Sequence, residues 1–127
     1  MYREITQGIE VEVEPQYLVD QSDPTHSQYV FSYHVTITNR GQTEVQLLSR
    51  HWKITDGDGI THEVKGQGVI GQQPKLKPSE KHEYSSFCPL PTPTGNMRGT
   101  YQFANHLGAQ FDVKLPLFFL RDLRGLH

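Results

Sequence analysis

Apolar and polar residues alternate with a period of two along most of this 127-residue chain, and that pattern limits the fold more than any other feature. Successive side chains of an extended strand point to opposite faces, so a two-residue period marks a sheet with one buried face. Ile9, Val11 and Val13 alternate with Glu10, Glu12 and Glu14, and the odd parity resumes after Pro15 with Tyr17 and Val19. Phe31, Tyr33, Val35 and Ile37 share one face while Ser32, His34, Thr36 and Thr38 take the other. From Val45 and Leu47 the apolar parity switches to Leu48, Trp52 and Ile54. Such a switch marks a β-bulge or a strand crossing between sheets. It puts Arg50 on the apolar parity, either at the bulge or buried with a partner, and turns His51 outward.

Asp56-Gly57-Asp58-Gly59 reads as a hairpin turn, because Asp and Gly tolerate the backbone conformations of tight hairpins. The same four residues superficially suggest a calcium loop, but the distal Glu of such a loop has no counterpart at the needed spacing. After the turn, His62 shares parity with Ile60 and Val64, which predicts a packed or interfacial histidine. Further strands are expected at His82 to Phe87, at Met97 to Phe103 and at Gln110 to Leu120, with Phe111, Val113, Leu115 and Leu117 on one face. Pro74 and Pro78 exclude a helix between Gly71 and Lys81. The expected fold is therefore all-β: an immunoglobulin or fibronectin type III-like β-sandwich of about seven or eight strands, in one domain spanning 1–127.

Composition narrows the function classes. Twelve Lys and Arg against fourteen Asp and Glu give a net charge of -2, with no basic surplus to neutralise a phosphate backbone, so no direct nucleic-acid binding is expected. Cys88 stands alone, which excludes an intrachain disulfide and favours a reducing compartment. No run of eighteen apolar residues and no apolar leader precede the first strand, so a cytoplasmic protein without membrane contact is the expectation. Nothing places a His or a positive charge beside Cys88 to activate it. The serine hydrolase motif G-x-S-x-G is absent, and no catalytic residue is assigned.

Gly66-Gln67-Gly68-Val69-Ile70-Gly71 matches G-x-G-x-x-G, the dinucleotide fingerprint, yet that chemistry needs a following helix whose amides hold the pyrophosphate. Here the glycines read as turn and bulge residues that can also expose amides to an anion. His26, His34, His51, His62, His82, His106 and His127 show neither H-x-H nor H-E-x-x-H spacing, so no metal and no cofactor are assigned.

Arg50-His51-Trp52, then Gly66 to Pro74, then Pro89-Leu90-Pro91-Thr92-Pro93-Thr94-Gly95, occur in the order and spacing of the ApaG domain family, which the chain resembles from about residue 3 onward. The resemblance implies a fibronectin type III-like sandwich and a domain reused beside other domains for protein binding. It also implies a genetic link to cobalt and magnesium tolerance. Gln72 stands where Glu is common in that family, and Ser79 where Gly is common. The leading expectation is a non-enzymatic protein-interaction module with an unidentified protein partner. The alternative is a small-anion binder, for a nucleotide, pyrophosphate or other phosphate-containing small molecule, using the Gly66–Gly71 loop. The expected binding residues are Arg50, His51, Gly66, Gly68 and Gly71, with the Pro89 to Pro93 segment as a further contact.

Overall fold

The computed structural model describes residues 1–122. Its strands are β1 (Tyr2–Thr6), β2 (Ile9–Tyr17), β3 (Tyr29–Asn39), β4 (Val45–Asp56), β5 (Thr61–Gln67), β6 (Lys75–Leu76), β7 (Lys81–Leu90), β8 (Thr94–Asn105), β9 (Gln110–Lys114) and β10 (Phe118–Arg121). Two short 3-10 turns, Val19–Gln21 and Pro24–His26, carry the chain from β2 to β3, and no α-helix occurs among the described residues. One antiparallel sheet has the order β1-β2-β3-β7. The other is built on the long β4–β8 pair, with β5 and β6 along one side of β4 and β10 and β9 along the far side of β8.

The alternation sorts the two faces of each sheet. Val11, Val13, Phe31, Val35 and Ile37 turn inward from the first sheet and are fully buried, while Glu12 and Glu14 stay on its outer face. From the second sheet Leu47, Trp52, Met97, Tyr101, Phe103, Phe118 and Leu120 meet them, making a β-sandwich with one apolar interior. Trp52 sits at its centre, edge-on to Tyr101 and Phe118 at 6.2 and 5.8 Å and tilted against Tyr33 at 5.5 Å. Tyr84 of β7 and Tyr101 of β8 join the sheets through a hydrogen bond between their hydroxyls. Burial holds both hydroxyls well above the ordinary tyrosine range.

The expected parity switch in β4 is a bulge. Its pairing with β8 shifts between Leu47 and Ser49, leaving Leu48 as the extra residue. Val45 and Leu47 face inward before it, Trp52 after it. Asp56-Gly57-Asp58-Gly59 forms the hairpin turn, closed by Asp56 Oδ1, which accepts from the Asp58 and Ile60 amides at 2.9 and 3.1 Å.

Among the described residues ten strands stand where seven or eight were expected, and each difference has a local cause. β1 escapes a parity reading because its inward residues, paired with Val13, Val11 and Ile9, are Tyr2, Glu4 and Thr6. β6 has two residues, too few to show a period. The segment from Gln110 to Leu120 is two strands, because Pro116 has no amide to donate to a ladder. Leu115 and Pro116 are both buried there, the parity flips to Phe118 and Leu120, and Leu117, expected inside, is exposed.

Ser79 explains one departure from the family pattern. Its φ is +73° and its amide donates to Asn39 O at 2.7 Å. A side chain in that left-handed region is penalised by about 1–2 kcal/mol, a penalty glycine escapes. Ser79→Gly is expected to raise the thermal midpoint, by up to about 1 kcal/mol of stability after the entropy of a freer unfolded chain is deducted. An unchanged or lower midpoint by calorimetry would count against it.

Candidate functional site

β5 runs along the open edge of the second sheet. Among the described residues it pairs only with β4, from Ser49 opposite Gln67 to Thr55 opposite Thr61. The parity it shares with Trp52 and Ile54 is that of His62 and Val64, with Ile60 just before the strand. Alternation predicts that these residues are packed; instead all three are exposed, Ile60 to 55% and Val64 to 40%. The exposure of all three leaves the apolar side of β5 open to solvent.

At its far end β5 runs into the glycine segment, and Arg50 binds the two together. Its inward-turned guanidinium donates through one terminal nitrogen to Gln67 O at 3.1 Å and Gly68 O at 2.9 Å. Gly66 lies directly opposite Arg50, where a Cβ would come within 2.9 Å of the guanidinium nitrogens. The Gly68 amide donates to the carbonyl of the bulge residue Leu48 at 2.8 Å. Val69 and Gln72 exchange backbone hydrogen bonds of 2.8 and 3.0 Å around a two-residue turn at Ile70 and Gly71. Both turn residues have positive φ, +48° and +72°, as a type I′ turn requires. Val69 is buried, whereas Ile70, a β-branched residue in the left-handed region, is 61% exposed. The amides of Gly68, Val69 and Gln72 are thus already bonded within the protein, and Gln72 takes part through its backbone.

The structure brings Arg50, Gly66, Gly68 and Gly71 to one corner and separates them from His51. That side chain leaves the opposite face of β4, where its Nε2 meets Glu63 Oε1 at 2.8 Å. The Pro89 to Pro93 segment also lies apart: Thr92 Oγ1 accepts from the Gly57 amide at 2.8 Å, at the hairpin end of β5. The His51 hydrogen bond, aided by the nearby charges of His51, Lys53 and Lys65, holds the Glu63 carboxyl below its ordinary value of 4.5. A lowered carboxylate favours the folded state above the unfolded value and loses that contribution as pH falls through the folded one. The midpoint of Glu63, read by carboxyl-carbon NMR, is expected below 4.5 and to rise toward it in His51→Ala; an unmoved midpoint would deny the coupling.

The other histidines are dispersed. His26 pairs with Asp23, and His34 with Glu83 and Ser85. His127 lies outside the described residues. No three His, Cys, Asp or Glu side chains converge among the described residues. Cys88 is buried, and burial pushes its thiol up to about 11. Sequence reasoning passed over Ile70 altogether, although a β-branched residue before Gly in a glycine-rich turn is an unusual choice that signals a strained position.

Residues 19–105, from the end of β2 through β8 and including the whole open edge, match the family model described as the ApaG domain. The chain belongs to the ApaG family. Protein ApaG of Mesorhizobium japonicum is 51% identical over 125 residues, covering 98% of this chain and 95% of that protein. Protein ApaG of Brucella anthropi is 51% identical over 120 residues, 94% of this chain and 92% of that one. A crystal structure of a Bordetella pertussis protein named ApaA superposes with a TM-score of 0.88 at 52% identity, covering 89% of this chain and 92% of the other. The ApaG relatives extend beyond the matched stretch to β1, β9 and β10, so the likeness covers both sheets. No helix among the described residues is long and apolar enough to cross a membrane.

Proposed function

We propose that this ApaG-family chain is a cytoplasmic, non-enzymatic protein-binding module that takes an extended segment of its partner along β5. The observation that carries this reading is the exposed apolar side of a strand with one open edge, Val64 with Ile60 just before it, and the exposed turn residue Ile70 beyond it. An open edge offers a row of free backbone donors and acceptors, and strand addition uses them for affinity while alternate side-chain pockets give specificity. The matching partner segment alternates apolar residues, set against Ile60 and Val64, with polar residues set against Thr61, Glu63 and Lys65. Arg50 keeps the glycine turn in place, so Ile70 stands at the end of that edge as a fixed apolar contact. A role in cobalt or magnesium tolerance then passes through the bound protein.

Ile70→Asn tests this reading, because Asn accepts the left-handed conformation that strains Ile. The variant is expected to unfold at the same or a higher temperature and yet to lose a partner that the unaltered chain retains from its own cells. A partner held equally by Ile70→Asn and by a Val64→Lys variant would refute strand addition at this edge. The amides already bonded at Gly68, Val69 and Gln72 leave the glycine turn less support as an anion site.

A further inference from the structure

The outer face of the second sheet gathers cations by strand register. Lys53 of β4 lies directly opposite Arg98 of β8, and His51, Thr100 and Lys114 form the next cross-strand row. Lys65 extends that row on the β5 side. Like charges directly opposite on neighbouring strands destabilise a sheet, and neither Lys53 nor Arg98 has an ion pair among the described residues. The acidic groups nearby are Glu63, directly opposite Lys53 on β5 and bonded to His51, Glu4, 3.6 Å from Lys114 Nζ, and Asp112 on β9. On the outer face of the other sheet the carboxylates Glu10, Glu12, Glu14 and Glu83 prevail, with Arg3 and Arg40 paired to Glu10.

The cations surround a groove of about 580 Å³ whose lining includes His51, Lys53, Arg98, Thr100, Lys114 and Leu117, together with one carboxylate, Asp112. That volume falls within the range of small-molecule sites. Leu117 is exposed there, where Pro116 has turned it out of the core. We propose that this groove binds a small phosphorylated molecule carrying at least two negative charges. Its phosphate sits between Lys53 and Arg98, and its uncharged body lies against Leu117. The planar guanidinium supplies paired donors that match phosphate oxygens, Lys53 adds a compact charge, and Thr100 adds a hydroxyl in the adjoining row. A bound dianion removes the repulsion between the two cations, so it is a ligand the empty sheet favours. The site uses the face of β4 opposite to Arg50 and stands independently of the strand-addition reading.

Amide NMR titrations of the full chain with inorganic pyrophosphate, inorganic phosphate and succinate, at low salt, test the assignment. Pyrophosphate is expected to produce saturable shifts at Lys53, Arg98 and Thr100 and to bind more tightly than phosphate, with succinate weakest. Arg98→Ala and Lys53→Ala are each expected to weaken pyrophosphate roughly tenfold or more, the loss of one charge-assisted hydrogen bond. Lys81→Ala, on the other sheet, is expected to leave binding unchanged. Arg98→Ala should hold or raise the unfolding midpoint, since it removes half of a like-charge pair. Shifts centred on Gly68 to Gln72, unchanged affinity in both groove variants, or succinate binding as tightly as pyrophosphate would each overturn the proposal.

Discussion

Trp52→Ala is expected to lower the free energy of unfolding by about 3–5 kcal/mol, the usual range for emptying a large aromatic site in a core. The side chain is 2% exposed and touches aromatic rings from both sheets, Tyr33 on one side and Tyr101 and Phe118 on the other. Domains of this size are stable by about 5–15 kcal/mol, so the variant is expected to sit near the edge of folding. Urea unfolding with an unchanged m-value gives the measurement. A loss below about 1 kcal/mol would mean that the ring packs far less closely than the contacts describe.

The second large effect is expected at Gly68. With φ at +64°, a Cβ there would lie 2.2 Å from Gln72 O, the carbonyl that closes the turn. Gly68→Val is expected to reduce stability on the order of 2–4 kcal/mol, combining left-handed strain with a backbone collision. Gly71→Val meets open space and carries the strain alone, about 1–2 kcal/mol. Thermal unfolding of the pair gives the comparison, and equal losses would show that the Gly68 collision is relieved by movement of the turn. The contrast also decides which glycine can report on binding. A Gly71 variant can remain folded while its partner is tested, whereas a Gly68 variant disturbs the turn itself.

How far the fold was legible follows from what each residue answers to. β2 and β3 announce themselves because Glu12 against Val13, or Thr36 against Val35, records a choice between solvent and core. The switch from Leu47 to Trp52 reveals the bulge for the same reason. Ile60 and Val64 mislead, because parity reports which side of a strand a residue takes and is silent on whether another layer covers that side. β1 stays hidden because Glu4 occupies an inward parity, and the break at Pro116 is masked by apolar residues on both sides of it. Arg50 on the core parity did point to a partner, though its backbone acceptors at Gln67 and Gly68 are seventeen and eighteen positions away. The cationic groove could not be read at all: Lys53, Arg98 and Lys114 are ordinary outward residues until the pairing of β4, β8 and β9 sets them side by side.

The single extra residue at Leu48 acts on β4 as a shift of phase. Upstream of it odd-numbered side chains face the core; downstream the even-numbered ones do. Removing Leu48 would restore an unbroken alternation and leave Trp52 inside and His51 and Lys53 outside, because Leu47 and Ser49 already face the consecutive residues Phe103 and Gln102 of β8. Removing one residue between the bulge and Trp52, with the bulge kept, would instead turn His51 and Lys53 into the apolar interior and push Trp52 into water. While the bulge is kept, only even changes of length leave every downstream side chain on its present face, whereas the removal of one residue is absorbed by loss of the bulge itself. The placement of the tryptophan inside and of the lysine outside thus depends on a count along the chain as much as on the identity of either residue.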